Sequence, residues 1–314
     1  MIERRTLVFD HPLLAGLEHP AFEARGVRDG PRLSLIGGIH GCEYSSIAAV
    51  TRFMNELDTR ELAGSILAVP VVSVEAFRRR SPFVVPVDGK NLNRAFPGSY
   101  DGGYTEALAR AIFDRLIAPA DAVVDLHGGD MVESLEPFTL YTALAVEEQA
   151  QAVAVSFGLP YVVRDVPSGG LGGTTASAAA EAGIPAIIAE AGGRGQLEED
   201  AAQLLVGGVR NVLRDLEMLP GEPSPPPAPI QRVGSFLWLR CRDAGWWESA
   251  VAAGETVARD QLLGVVRNLW GDVLEEIHAP DAGVVLFLTT SAAVAGDGLL
   301  LGLGADLSAL TAST

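Results

Sequence analysis

The stretch from Leu33 to Val50 constrains this chain more than any other. A short apolar run, Leu33 to Ile36, gives way to Gly37-Gly38-Ile39-His40-Gly41-Cys42-Glu43, and Ile47-Ala48-Ala49-Val50 begins a helical pattern. Strand, glycine-rich turn and helix in that order predict the opening of an α/β fold. Such folds bind ligands outside the carboxyl ends of their strands. His40 lies in the turn and Glu43 three residues later, so both side chains can converge on one point above the strand's carboxyl end. An imidazole nitrogen with a carboxylate oxygen is a donor pair that suits Zn²⁺. Alone, the pair also fits a helix N-terminal carboxylate, favoured by the dipole, beside an incidental histidine.

The rest of the chain supplies more groups at the same level. Ser65–Val72 reads as a strand, with a helix over Ile47–Leu57 between it and the first. Glu75 to Tyr104 then reads as a long irregular segment, and compact domains seldom keep such a loop without a use for it. It contains Arg78-Arg79-Arg80 and Asp88-Gly89-Lys90-Asn91-Leu92-Asn93-Arg94. This is either a solvated basic loop or a local cationic pocket. Asn93 beside Arg94 favours the pocket, since a guanidinium with an amide neighbour clamps a carboxylate.

After a helix over Thr105–Ile117, Ala122-Val123-Val124-Asp125-Leu126-His127-Gly128-Gly129 is an apolar strand ending in a histidine. Asp125 is placed to orient an imidazole, as ligating histidines often require; backbone hydrogen bonding of His127 is the alternative. Phe138–Ala143 and Tyr161–Arg164 read as strands around a helix at Glu147–Phe157, and a glycine-rich loop, 168–173, precedes a helix at Thr174–Ala182. Ile184–Gly193 is a further strand, ending in Glu190, where burial would raise a carboxyl pKa toward that of a general base or where the carboxylate caps the next element. A helix follows at Glu198–Leu216.

The proline run over 220–229 is the clearest boundary, a semi-rigid spacer. Short β segments follow: Phe236–Arg240, Gly245–Ser249, Leu263–Arg267, Val273–Ile277, Gly283–Thr289 and Leu299–Leu303. The expected organisation is an α/β domain over 1–219 with a mixed, mostly parallel sheet flanked by helices, a linker over 220–229, and a small all-β domain over 230–314.

Composition narrows the partners. With 48% hydrophobic and 20% charged residues the chain has apolar mass for a substantial core. A net charge of −17 argues against a general surface for nucleic acid. Two cysteines, Cys42 and Cys241, allow no disulfide framework and fit a reducing compartment. Cys42 reads as a small packing residue rather than a ligand. The N-terminus lacks a signal-peptide pattern and no apolar run is long enough to span a bilayer, so a cytoplasmic protein with no membrane partner is expected. A homo-oligomer is compatible with the sequence.

Together, Gly38-Ile39-His40-Gly41-Cys42-Glu43, Asp88–Gly98 with its Asn-Leu-Asn-Arg-Ala-Phe-Pro-Gly string, Asp125-Leu126-His127 and Ile188–Gly193 resemble the succinylglutamate desuccinylase/aspartoacylase family, a branch of the zinc carboxypeptidase superfamily. The resemblance covers most of the chain. It implies that His40, Glu43 and His127 are ligands to one zinc ion, with one position left for water. It implies further that Glu190 is the general base, that Asn93 and Arg94 hold the substrate carboxylate, and that Arg80 stabilises the oxyanion, with Arg78 and Arg79 as neighbours that compete for the role. Two imidazoles and one carboxylate with an open position are the donor set of a catalytic rather than a structural zinc site.

The implied reaction is hydrolysis of the amide of an N-acyl amino acid or a related small carboxylate. A metallocarboxypeptidase acting on short peptides would use the same carboxylate clamp, and a non-catalytic metal-binding protein on the same fold is a third possibility. Acyl selection would fall to loops that carry groups such as Arg164, Asp130 and Glu133. Superfamily relatives often place a tyrosine near the site, but this chain has none after Tyr161. The segment around His278 resembles a lipoyl/biotinyl-type turn without a lysine, which excludes covalent cofactor loading, and His278 reads as a surface or packing residue rather than a fourth ligand.

Overall fold

The computed structural model describes residues 1–166 and 172–310. Most of the glycine-rich loop expected over 168–173 lies outside the described residues. The first part of the chain runs β1 (Ile2–Leu7), β2 (His19–Arg25), β3 (Arg28–Gly37), α1 (Tyr44–Glu56), β4 (Ala63–Val69), α2 (Val74–Arg79) and α3 (Tyr104–Ile112). It continues with β5 (Ala122–His127), β6 (Glu133–Leu135), β7 (Phe138–Thr142), α4 (Glu147–Phe157), β8 (Tyr161–Asp165), α5 (Thr175–Glu181), β9 (Ala186–Glu190) and α6 (Glu199–Asp215). The remainder is all β: β10 (Gln231–Arg240), β11 (Gly245–Ser249), β12 (Thr256–Val257), β13 (Leu262–Arg267), β14 (Val273–His278), β15 (Gly283–Thr289), β16 (Ala293–Val294) and β17 (Leu299–Ala309).

The large sheet has the order β1-β2-β4-β3-β5-β9-β7-β8-β10-β17-β15-β12, with β6 paired to β15. Its centre is parallel at β4-β3-β5-β9 and at β7-β8-β10, and β7 runs antiparallel to β9. A mixed sheet flanked by helices, with antiparallel strands forming a small C-terminal module, is therefore the observed architecture. Four strands of that module, β14-β13-β11-β16, form a sheet of their own, while β10, β17, β15 and β12 extend the large one. The proline-rich segment carries no helix or strand. Its Ser224 is held to α6 by the Asn211 amide, which accepts from the Ser224 N–H at 2.9 Å.

Central strands are apolar on both faces, as helices covering both sides require. Leu33, Leu35, Val124, Ile187 and Ala189 pack beneath α1, α4 and α6 with Phe53, Leu205 and Val209. Ile36, Val123 and Ile188 face the other way, toward α3 and α5, with Leu108 and Ile112. Side chains alternate along a strand, so Asp125 and His127 share the face of Val123, and Glu190 that of Ile188. The groups singled out in the sequence thus emerge on one face at one end of the sheet.

Several elements differ from expectation. β1 and β2 were not predicted: β1 is an edge strand whose Glu-Arg-Arg-Thr run is exposed, so it lacks an apolar face to read. The segment after Val72 is not wholly irregular, since it contains α2 and a 3₁₀ turn at Leu92–Arg94. The helix read over Thr105–Ile117 is α-helical to Ile112 and closes in a π turn over Phe113–Ile117.

Two glycines fix the turn between β3 and α1. Gly38 has φ of +62° and passes close to the backbone of Pro70 and Val71, which a side chain would obstruct. A Cβ on Gly41 would overlap the backbone of Ala76 and Phe77 in α2. Gly41→Ala is therefore expected to destabilise the fold by about 1–3 kcal/mol, the typical cost of forced backbone shifts, read as a lower urea midpoint; an unchanged midpoint would show that α2 yields freely.

Candidate active site

Glu43 is the N-terminal boundary residue of α1, but its side chain makes no capping hydrogen bond. It is 4% exposed and points instead at two imidazoles. His40 Nδ1 lies 2.7 Å from Oε1, His127 Nδ1 lies 3.1 Å from Oε2, and the Gly128 N–H donates to Oε2 at 3.3 Å. The ligand atoms of His40, Glu43 and His127 all lie within 4.8 Å of one another, so the three could hold a metal ion. The reading of Glu43 as a plain helix-end carboxylate is thereby set aside.

Both rings are held from behind. His127 Nε2 is 2.9 Å from Asp125 Oδ2, and His40 Nε2 is 3.0 Å from Asn91 Oδ1. Without an ion each ring is held toward Glu43 by its Nδ1–H; with Nε2–H donated to those oxygens, loss of the Nδ1 proton would free an Nδ1 lone pair for a cation. Two imine nitrogens and a carboxylate converging on one point fit a divalent cation, and the outer acceptors match the support that ligating histidines usually have. Asp125 is further fixed by the Thr175 hydroxyl, which donates to Oδ2 at 2.5 Å from the start of α5. Sequence reasoning found Asp125 but missed Asn91 and Thr175: Asn91 lay inside a recognised motif without a role, and Thr175 approaches from far along the chain.

Charge follows from this packing. Burial opposes ionisation of Glu43, but His127 and His40 more than offset it and hold its pKa down at about 2. Burial likewise opposes protonation of His127, yet Asp125 and Glu43 raise its pKa well above the ordinary value. On the next strand, Glu190 is in register with His127. It keeps some area open to the cavity, but protein encloses it, and burial pushes its pKa up to about 8 against the pull of His127. Glu133 is pushed up to about 7, chiefly by burial.

A cavity of about 690 Å³ contains the cluster together with Asn93, Arg94, Glu133 and Glu190. A second cavity of about 730 Å³, at the opposite edge near Arg28 and Arg32, contains none of these groups. Asn93 is buried, with Oδ1 accepting from the Thr175 N–H at 3.1 Å. Arg94 lines the cavity and donates to the Asn93 carbonyl at 2.7 Å. Arg80 does not line it; it is exposed at the end of α2 in a left-handed conformation, φ +51°. Arg78 and Arg79 pair with Glu75, whereas Arg80 has no ion pair among the described residues. Asp130 and Glu133 sit close to the cluster, but Arg164 is engaged by Glu147 at 2.5 Å. Cys42 is buried outside the metal-binding group, and His278 is exposed.

Residues 29–216 match the succinylglutamate desuccinylase/aspartoacylase catalytic domain. The chain belongs to the succinylglutamate desuccinylase/aspartoacylase family. Among its relatives is the N-alpha-acetyl-L-2,4-diaminobutyric acid deacetylase of Halomonas elongata, 30% identical over 253 residues, which cover 77% of this chain and 72% of that protein. The product-bound ectoine utilization protein EutE (DoeB) from Ruegeria pomeroyi superposes with a TM-score of 0.85 at 25% identity, over 96% of this chain and 95% of its own. A family structure from Rhodobacter sphaeroides gives 0.84 at 23% identity, over 99% and 95%, and shares the fold. No helix among the described residues is long and apolar enough to cross a membrane.

The charge pattern of this family member sets a pH dependence for the metal-free protein. Glu190 holds its proton up to about pH 8 when folded but loses it near its ordinary value of 4.5 when unfolded. Folding therefore binds a proton across that window, and stability falls as pH rises through it. His127, raised in the same sense, adds to the fall above its ordinary 6.5. Urea unfolding with chelator between pH 5 and 8 should show decreasing stability, and Glu190→Gln should flatten the slope by up to about 1.4 kcal/mol per pH unit. An identical slope in the variant would contradict the assignment.

Proposed function

We propose that the protein is a zinc-dependent hydrolase that cleaves the amide bond of an N-acyl amino acid or a related small carboxylate. The observation that carries this reading is the convergence of the two Nδ1 atoms and the Glu43 carboxylate in the cavity that Glu190 also lines. The deacetylase activity named for the Halomonas relative supports it. In this reading His40, Glu43 and His127 hold one zinc ion per chain. When bound, the ion would act as a Lewis acid and acidify a water.

The remaining work falls to the chain's own groups. Glu190 takes a proton from the attacking water and returns it to the leaving nitrogen as the carbon–nitrogen bond breaks, releasing a carboxylic acid and an amine. Burial in the cavity favours the protonated form that Glu190 must hold between the two transfers. Arg94 and the Nδ2 of Asn93, whose Oδ1 is already engaged, hold the substrate carboxylate and set the amide over the cluster. Arg80, exposed and without an ion pair among the described residues, is the guanidinium assigned to the charge developing on the carbonyl oxygen, a role that requires it to turn toward the cavity. Cys42 and Cys241 are both buried and unpaired, a state that a reducing cytoplasm maintains.

Glu190→Gln should lower kcat on N-acetyl amino acids by about 10²–10⁴-fold, with zinc content by elemental analysis remaining near one per chain. Retained turnover would remove Glu190 from the base role. Absence of hydrolysis across a panel of N-acyl amino acids with the zinc-loaded protein would sink the deacylase reading.

A further inference from the structure

The cavity has a second wall that the proposed chemistry leaves unused. Besides the charged cluster it is lined by Phe138 of β7, Phe236 and Trp238 of β10, and Phe287 of β15. These rings form a continuous series. Phe138 and Phe236 have centroids 6.1 Å apart, Phe236 and Trp238 4.7 Å, and Trp238 and Phe287 5.4 Å. Each spacing is within the range of favourable aromatic pairs. Phe138 and Phe287 are buried, while Trp238 is 38% exposed.

The wall begins at the reacting centre. Phe138 is the register partner of Glu190 on the neighbouring strand, so the two backbones lie one strand spacing, ~4.8 Å, apart and both residues line the cavity. Gly302 of β17 lies behind Phe236 and Phe287, and a Cβ there would press into both rings. Its absence lets the rings lie back against the sheet.

The charged groups along this side are held in hydrogen bonds, and of them Glu133 and Arg240 also line the cavity. Asp130 accepts from the Phe83 and Met131 N–H groups, and Glu133 accepts from the Asp130 N–H. Arg240 donates to the Asp297 carbonyl at 2.7 Å.

We infer that this aromatic wall is a binding subsite for a bulky apolar group of the substrate, larger than the methyl of an acetyl group. The inference rests on the deacylase reading for its substrate, though not for its binding chemistry. An acetyl methyl extends only one carbon beyond the scissile carbonyl, whereas the wall runs over four rings whose neighbouring centroids are 4.7–6.1 Å apart. The apolar group is either a longer acyl chain or an aliphatic or aromatic amino-acid side chain. The C-terminal module, which supplies three of the four rings, then selects the substrate, and the α/β part supplies the chemistry.

The test compares kcat/KM in two series. One is N-acetyl-, N-butanoyl- and N-hexanoylglycine; the other is N-acetylalanine, N-acetylleucine and N-acetylphenylalanine. N-acetyl-2,4-diaminobutyrate serves as the cationic comparison. One series should rise by roughly three- to fourfold per added methylene, the factor that burying a CH₂ supplies, and the series that rises identifies which end of the substrate meets the wall. Trp238→Ala should flatten that rise and Trp238→Phe should retain most of it. Flat profiles in both series, a preference for the diaminobutyrate, or a parallel loss on all substrates in Trp238→Ala would each overturn the inference.

Calorimetric binding of hexanoate against acetate to the zinc-loaded protein separates the subsite from the reaction. Hexanoate should bind at least about tenfold more tightly, and less so to Trp238→Ala. Equal affinities would overturn an acyl-chain subsite whatever the turnover, and with a flat amino-acid series beside them would overturn the inference whole. Tight hexanoate binding with no amide hydrolysed would leave the subsite standing and reject the deacylase reading.

Discussion

The site is organised around one buried carboxylate. Glu43 is almost fully enclosed, faces two imidazoles and stays ionised with a pKa of about 2. A carboxylate removed from water is costly unless it is matched by positive charge and hydrogen bonds. Here the matching groups come from three places: His40 in its own turn, His127 at the end of the adjacent strand, and the Gly128 backbone. The arrangement holds only if β3 and β5 are neighbours in register, and they are, pairing from Leu33 with Ala122 to Gly37 with Leu126. Strand order, turn geometry and charge are thus one constraint.

Support for the cluster spreads outward by hydrogen bonds rather than by packing alone. Asn91 brings the loop after α2 to His40, and Thr175 brings the start of α5 to Asp125. The Thr175 backbone also binds Asn93, so one residue touches both the imidazole support and the proposed carboxylate clamp. The sheet then carries this centre into the C-terminal module without a break, through β8 and β10. That continuity places Phe236 and Trp238 in the same cavity as Glu190.

Much of this was legible in the sequence, for physical reasons. Apolar runs that stop at His127 and Glu190 mark buried parallel strands whose last side chain faces the ligand level, and the structure puts them in register. The glycines around His40 marked a tight turn because Gly38 takes a left-handed conformation and Gly41 abuts a backbone. What escaped was set by distant contacts. β1 shows no apolar alternation because its side chains are mainly solvent-facing. Asn91 and Thr175 acquire roles only when the long loop and α5 fold over the sheet. Arg80 was singled out from its neighbours by resemblance; in the structure Glu75 pairs with Arg78 and Arg79, and none of the three lines the cavity. The aromatic wall was unreadable because its rings come from three strands far apart in the chain.

The central claim is that His40, Glu43 and His127 hold a single divalent ion through the two Nδ1 atoms and the carboxylate. Anomalous diffraction at the zinc edge, from crystals grown with zinc, tests it most directly. The account predicts one strong peak within about 2.0–2.2 Å of both Nδ1 atoms and a Glu43 oxygen, with Asp125 and Asn91 still on the Nε2 atoms. A peak elsewhere in the chain, or ligation through Nε2 with Asp125 displaced, would contradict it.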